Sequence, residues 1–224
     1  MEALLRYRLI DSASAGDLEC ALALLDDEER RRLEGFRDDR DGREFALAHA
    51  LLRSTLTECG ELSPRDWRFE AASGGKPRLR GGGSASPSFN LSHTRGLVAC
   101  IVAPTGDVGI DVEYLNRSTD WRRIAERYFS GEELAQLERG PTDRERFYEL
   151  WTLKEAFAKA LGVGVLQVLS TVEFRIEQDG GIEARLPADV VGDDWRFKVC
   201  APSPEHRCAI AVRRNPDRSL LSRS

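Results

Sequence analysis

A chain of 224 residues, 41% apolar and 32% charged, is long enough to bury a sizeable core as one unit or two intimate halves. Its net charge of −5 excludes a protein built on nucleic-acid backbone contacts, which need a dominant basic surface, whereas a small anion needs only a local basic pocket. Five cysteines, Cys20, Cys59, Cys100, Cys200 and Cys208, are odd in number and lack Cys-x-x-Cys spacing, which predicts free, mostly buried thiols in a reducing cytoplasm and speaks against zinc. There is no start of the signal-peptide type and no apolar run near ~18 residues, so a soluble cytoplasmic protein is expected.

In chain order, Asp17 to Gly35 reads as a charged amphipathic helix and Phe45 to Glu58 as a second, with a basic stretch from Arg30 to Arg43 at their junction. His49 shares the alanine and leucine face of the second helix, which predicts a packed or capping role. Trp67 to Ala71 reads as a short strand, followed by the Ser73-Gly74-Gly75-Lys76-Pro77 turn and a Gly81-Gly82-Gly83-Ser84 loop. That loop lacks Gly-Lys-Ser/Thr and a following helix, so it is not a phosphate loop. Val98 to Val102 reads as strand, and a Pro104 to Asp107 turn divides the chain into 1–105 and 106–214.

The second half continues with helices at Trp121 to Arg127, Gly131 to Arg139 and Arg144 to Leu161, then extended segments at Thr171 to Gln178, Trp195 to Ala201 and Cys208 to Arg213. His206, in a Pro-Glu-His turn, is expected in solvent, and the polar stretch 215–224 is expected to fray. Helices followed by meandering strands predict an α+β fold and not a doubly wound parallel sheet.

Two motifs carry the chemistry, Gly109-Ile110-Asp111-Val112-Glu113 and Trp151-Thr152-Leu153-Lys154-Glu155-Ala156-Phe157-Ala158-Lys159. On a strand, residues two apart share a face, so Asp111 and Glu113 point the same way. On a helix, residues four apart stack, so Glu155 and Lys159 emerge side by side. Three carboxylates and a cation can then converge. That set suits Mg²⁺, which takes octahedral oxygen ligands near ~2.1 Å and is usually completed by substrate phosphates.

Around these motifs stand Gly75-Lys76-Pro77, then Phe89-Asn90-Leu91-Ser92-His93-Thr94, and, between the acidic pair, Tyr128-Phe129-Ser130-Gly131-Glu132-Glu133. In this order, from about Leu24 to Phe174, the chain resembles the 4′-phosphopantetheinyl transferases of the surfactin-synthetase-activating type. The resemblance implies transfer of phosphopantetheine from coenzyme A to a serine of an acyl, polyketide or peptidyl carrier protein, releasing adenosine 3′,5′-bisphosphate. It also implies two similar subdomains related by pseudo-two-fold symmetry, with an active site in the cleft between them; a monomeric or weakly associated protein with no nucleic-acid or membrane partner is expected.

By the same resemblance, Asp111, Glu113 and Glu155 match the metal ligands. Glu155 also matches the general base, acting directly or through a metal-bound water. Lys159 matches a lysine on the pyrophosphate, and Lys154 is either a second phosphate contact or an outward-facing helix charge. Ser92 and His93 match the site of the nucleotide's phosphate, and Gly75 and Lys76 the loop at the adenine nucleotide. Glu44 holds the register of a phosphate-contacting arginine, with Arg43 offset by one as the candidate. Arg32 matches a basic position, and Glu29 stands where another cation is often found. Gly162-Val163-Gly164-Val165 replaces a usual Gly-x-Gly-Leu. Carrier docking is expected beside Tyr114 to Tyr128, where Leu115, Trp121 and Ile124 lie amid Arg117, Arg122, Arg123 and Arg127, unless Trp121 and Ile124 pack inward. The competing classes are a non-catalytic coenzyme A- or carrier-binding module of the same fold and a metal-dependent phosphodiesterase or nuclease of another fold.

Overall fold

The computed structural model describes residues 3–71, 77–81, 86–139, 142–188, 190 and 194–213. The architecture is α+β, and the chain divides into two units, Met1–Thr105 and Gly106–Ser224.

In the first unit, β1 (Leu4–Leu9), β4 (Ser88–Thr94) and β5 (Leu97–Ala103) form an antiparallel sheet of order β1-β5-β4. The central strand β5 is buried at every position, which accounts for its unbroken apolar run. The single helix expected from Asp17 to Gly35 is instead two, α1 (Ala15–Leu24) and α2 (Asp27–Glu34). The break falls at Asp26, whose carboxylate accepts from the amides of Glu28 and Glu29 while Glu29 reaches back to the Asp26 amide. This capping box satisfies helix-start donors that a continuous helix would have bonded internally. The long helix α3 (Asp39–Cys59) packs on β5, setting Leu47 near Val98, and Leu52 and Leu56 near Cys100 and Val102. A small hairpin joins β2 (Phe69–Ala71) to β3 (Pro77–Leu79).

The second unit repeats this plan. Its first strand β6 (Val108–Tyr114) lies at one edge, its last strand β10 (His206–Arg213) in the centre, and β9 (Trp195–Cys200) at the other edge. The long helix of this unit, α6 (Asp143–Leu161), lies across β6 and β10 as α3 lies across β5, after the short helices α4 (Trp121–Tyr128) and α5 (Gly131–Leu137). The stretch expected as one extended segment from Thr171 to Gln178 holds β7 (Glu173–Ile176), which turns back on β8 (Ile182–Arg185).

Contact between α6 and β6 depends on Gly109. A Cβ there would lie 2.0 Å from the Ala156 carbonyl oxygen and 2.5 Å from the Ala160 nitrogen, so only glycine lets helix and strand come this close. Aromatic side chains fill the rest of this core, with Phe157 edge-on to Trp195 at 4.9 Å and to Phe174 at 6.4 Å. Among the described residues no helix is long and apolar enough to cross a membrane.

Candidate active site

The alternation of β6 sends Gly109, Asp111 and Glu113 toward α6, and Val108, Ile110 and Val112 to the opposite face. On α6, packing covers nearly every position from 151 to 160; only Trp151, Glu155 and Lys159, spaced one turn apart, stay partly open. The two stripes meet. Lys159 Nζ donates to Asp111 Oδ1 at 2.6 Å, and both oxygens of Glu113 accept from Arg117 Nη1, at 2.7 and 3.0 Å.

Crowding the acids has an electrostatic consequence. Burial lifts the Glu155 carboxyl to about 7, and the charges of Asp111 and Glu113 push the same way while Lys159 pulls against them. Burial likewise raises Glu113, helped by Asp111 and opposed by Arg117 and Lys159. Among the described residues no three His, Cys, Asp or Glu side chains are already gathered around a metal position, because Asp111 and Glu113 are each turned to a cation of the chain. The donor set still fits a hard divalent cation. All its atoms are oxygens, two carboxylates share a strand face, and their mutual repulsion is what an added positive charge relieves.

Two supporting roles escaped the sequence reading, that of Arg207 and that of Arg117, which was read there only as part of a docking rim. Arg207 is the register partner of Glu113 and, nearly buried, bonds Glu145 Oε1 at 2.6 Å, with Glu149 Oε1 at 3.6 Å. A lone cation on a strand face otherwise read as Ala209 and Ala211 was the available signal. Arg117, four residues past Glu113, is the other.

Lys154 is a correction. Fully buried, its ammonium donates to the carbonyls of Leu169 at 2.9 Å and Val172 at 2.6 Å and pairs with Glu133 Oε1 at 3.0 Å, beside the Phe129 ring. All three protons are used, so it is neither a phosphate contact nor an outward-facing charge. It ties α6 to α5 and to the entry of β7, where Glu133 also accepts from the Phe174 amide. Burial lowers the Lys154 pKa, against the pull of Glu133.

In the first unit, Ser92 is buried and its neighbour His93 exposed, as alternation on β4 requires. Arg43 donates to the Ala13 carbonyl, and Glu44 faces Arg40 Nε at 3.3 Å. Glu29, at a position where a cation is often found, instead joins a buried ion network: Arg53 donates to it at 2.7 and 3.1 Å and to Asp26 at 2.8 Å, while His49 Nδ1 lies 2.6 Å from its other oxygen. Although burial works to raise the Glu29 carboxyl, the bonds from His49 and Arg53 hold it below its ordinary value. Gly75 and Lys76 lie outside the described residues, as does the stretch 215–224. Trp121 and Leu115 are buried and Ile124 packs on the same core, so what α4 offers outward is Arg122, Arg123 and Arg127 with one acid, Glu126, among them. His206 is not in solvent: it is buried, with Nδ1 2.7 Å from Ser203 Oγ. Cys20, for its part, is exposed.

Both halves of the chain match known proteins in sequence. Residues 12–105 match the family described as 4′-phosphopantetheinyl transferase, N-terminal, and residues 107–211 the 4′-phosphopantetheinyl transferase superfamily. The 4′-phosphopantetheinyl transferase ffp of Bacillus subtilis is 31% identical over 190 residues, covering 80% of this chain and 82% of its own length. A Synechocystis relative, slr0495, is 32% identical over 152 residues, which are 67% of this chain but 62% of the relative. Among solved structures, the holo-[acyl-carrier-protein] synthase of Thermotoga maritima aligns with 52% of this chain and 72% of its own at 27% identity and a TM-score of 0.41. With both halves matched and a close relative covered over most of its length, the chain belongs to the 4′-phosphopantetheinyl transferase family, of the surfactin-synthetase-activating type.

Proposed function

We propose that this chain transfers the 4′-phosphopantetheine arm of coenzyme A to a serine of an acyl or peptidyl carrier protein, in a magnesium-dependent reaction in the cytoplasm, and that it acts as a monomer. The observation that carries this reading is the meeting of Asp111, Glu113 and Glu155 with Lys159 across the β6–α6 contact. Those three carboxylates would hold the magnesium, which when bound would offset charge on the pyrophosphate oxygens.

The remaining work falls to the chain's own groups. The serine Oγ attacks the β-phosphorus, the bond from that phosphorus to the bridging oxygen breaks, and adenosine 3′,5′-bisphosphate leaves. Glu155 takes the serine proton. In the metal-free site, burial and the charges of Asp111 and Glu113 raise its affinity for a proton above that of an ordinary glutamate. Lys159, whose ammonium already bonds a carboxylate oxygen of the site, can place a proton against the departing phosphate. On the first unit, exposed His93 with Ser92, and Lys76 with Gly75, are assigned to the nucleotide, since a histidine ring can donate from both nitrogens to phosphate. Arg122, Arg123 and Arg127 on α4 supply a basic rim for an acidic carrier.

The test is to incubate the protein with coenzyme A, Mg²⁺ and an apo carrier domain and to weigh the carrier by mass spectrometry. Addition of the phosphopantetheine arm is expected, with none in excess chelator and none for Asp111→Ala or Glu155→Ala at preserved fold. A carrier of unchanged mass from the wild-type enzyme across fatty-acid, polyketide and peptide-synthase carriers would overturn the activity. Near-normal transfer by Glu155→Ala at saturating Mg²⁺ would overturn the assignment of metal and base.

A further inference from the structure

Away from the acid cluster, β9 and β10 set two thiols face to face. Cys200 and Cys208 are direct partners in the antiparallel register, so their side chains leave the same face of the sheet as neighbours. Directly opposed residues have Cα atoms about 4.5 or 5.5 Å apart, according to the kind of pair. A disulfide spans about 4.4–6.8 Å. The pair can therefore close with no change of register. On its other side Cys208 opposes Val112, so it lies on the face of the sheet away from Asp111. Cys200 is partly open to solvent, whereas Cys208 is buried.

We propose that Cys200 and Cys208 form a reversible dithiol–disulfide modification site, with Cys200 the attacking thiol and hydrogen peroxide the oxidant. The Cys200 thiolate attacks a peroxide oxygen, the O–O bond breaks, and hydroxide leaves to take up a proton as water, which makes Cys200 a sulfenic acid. The Cys208 sulfur then attacks the Cys200 sulfur. The S–O bond breaks, and the hydroxide leaves with the Cys208 proton as a second water. Two thiols are oxidised and one peroxide is reduced.

The roles follow from the surroundings. The neighbouring Cys208 thiol brings the Cys200 thiol down to about 7 against the effect of burial, and the Lys198 ammonium, on the same strand face, assists. Its neighbour Cys200, burial and the charges on Cys200 and Asp111 push Cys208 up. Once Cys200 carries oxygen its negative charge is gone, and that part of the opposition to ionising Cys208 goes with it.

The experiment treats the reduced full-length protein with a few equivalents of hydrogen peroxide and follows intact mass and proteolytic peptides. The expected result is loss of two hydrogens per chain, a linked peptide pair containing Cys200 and Cys208, and reversal by dithiothreitol. In Cys208→Ser, a sulfenic acid should accumulate on Cys200 and be captured by dimedone. Should that variant fail to fold, Cys200→Ser, at the partly open position, decides the matter by giving no linked pair. Unchanged mass with both thiols still alkylated after unfolding, a linkage through Cys20, Cys59 or Cys100, or oxidation of Cys208 in Cys200→Ser as fast as in wild type would each overturn the proposal.

Discussion

Replacing Glu155 by glutamine should abolish transfer and at the same time make the metal-free protein more stable. Unfolded, this carboxyl ionises near 4.5, whereas in the fold burial and the charges of Asp111 and Glu113 hold it at about 7. Its ionised form is thus disfavoured by folding. The cost is absent below pH 4.5, grows between 4.5 and 7, and is complete above 7. At ~1.36 kcal/mol per tenfold change the full displacement corresponds to ~3 kcal/mol. Because the side chain is only half-buried, solvent screening reduces this to ~1–2 kcal/mol. Glutamine keeps the shape without the charge, so in chelator at pH 8 its thermal midpoint should rise by about 3–6 °C. At pH 4 the two proteins should unfold together. Tryptophan fluorescence suits the assay, since Trp121, Trp151 and Trp195 all lie in the unit that carries the acids. A glutamine variant no more stable than wild type at pH 8, or stabilised equally at pH 4 and pH 8, would refute the electrostatic account of the site.

Gly109→Ala should cost ~3 kcal/mol or more and most of the transfer activity, because a methyl group 2.0 Å from the Ala156 carbonyl must drive β6 off α6; a urea midpoint like wild type would refute the close approach. Lys154→Ala leaves Glu133 buried without its cation and should lose ~3–5 kcal/mol while the KM for coenzyme A of the folded enzyme stays put. A raised KM at unchanged stability would instead make Lys154 a ligand contact. His93→Ala, at an exposed position assigned to the nucleotide, should raise the KM for coenzyme A more than it lowers kcat, and equal KM values would return His93 to a structural role. Reversing Arg122 and Arg123 to glutamate should raise the KM for the carrier and flatten its salt dependence without touching coenzyme A; equal effects on both substrates would place docking elsewhere.

Local periodicity was enough to read the acid positions. Asp111 and Glu113 share a face because strand side chains alternate, and Glu155 and Lys159 stack because helix side chains return every turn; neither relation depends on what the rest of the chain does. Order of elements likewise disclosed the α+β class, and an unbroken apolar run disclosed β5. Other features lay beyond such reading. Burial on strand β1 is one: Leu5-Arg6-Tyr7-Arg8-Leu9 alternates in sequence, yet at the sheet edge Tyr7 is exposed while Arg8 is partly covered. The split between α1 and α2 depends on a capping carboxylate at Asp26 that also serves Arg53, 27 residues later. Lys154 and Glu155 are neighbours on one helix, and no periodicity says which of them meets solvent. That was decided by the partners of α6: β6 and β10 close over one side and α5 with the β7 entry over the other, leaving open only the line through Trp151, Glu155 and Lys159. A charge left inside must then find its countercharge from a distant segment, as Lys154 does in Glu133 and Arg53 in Glu29, since an unpaired ion in a packed interior is too costly to keep.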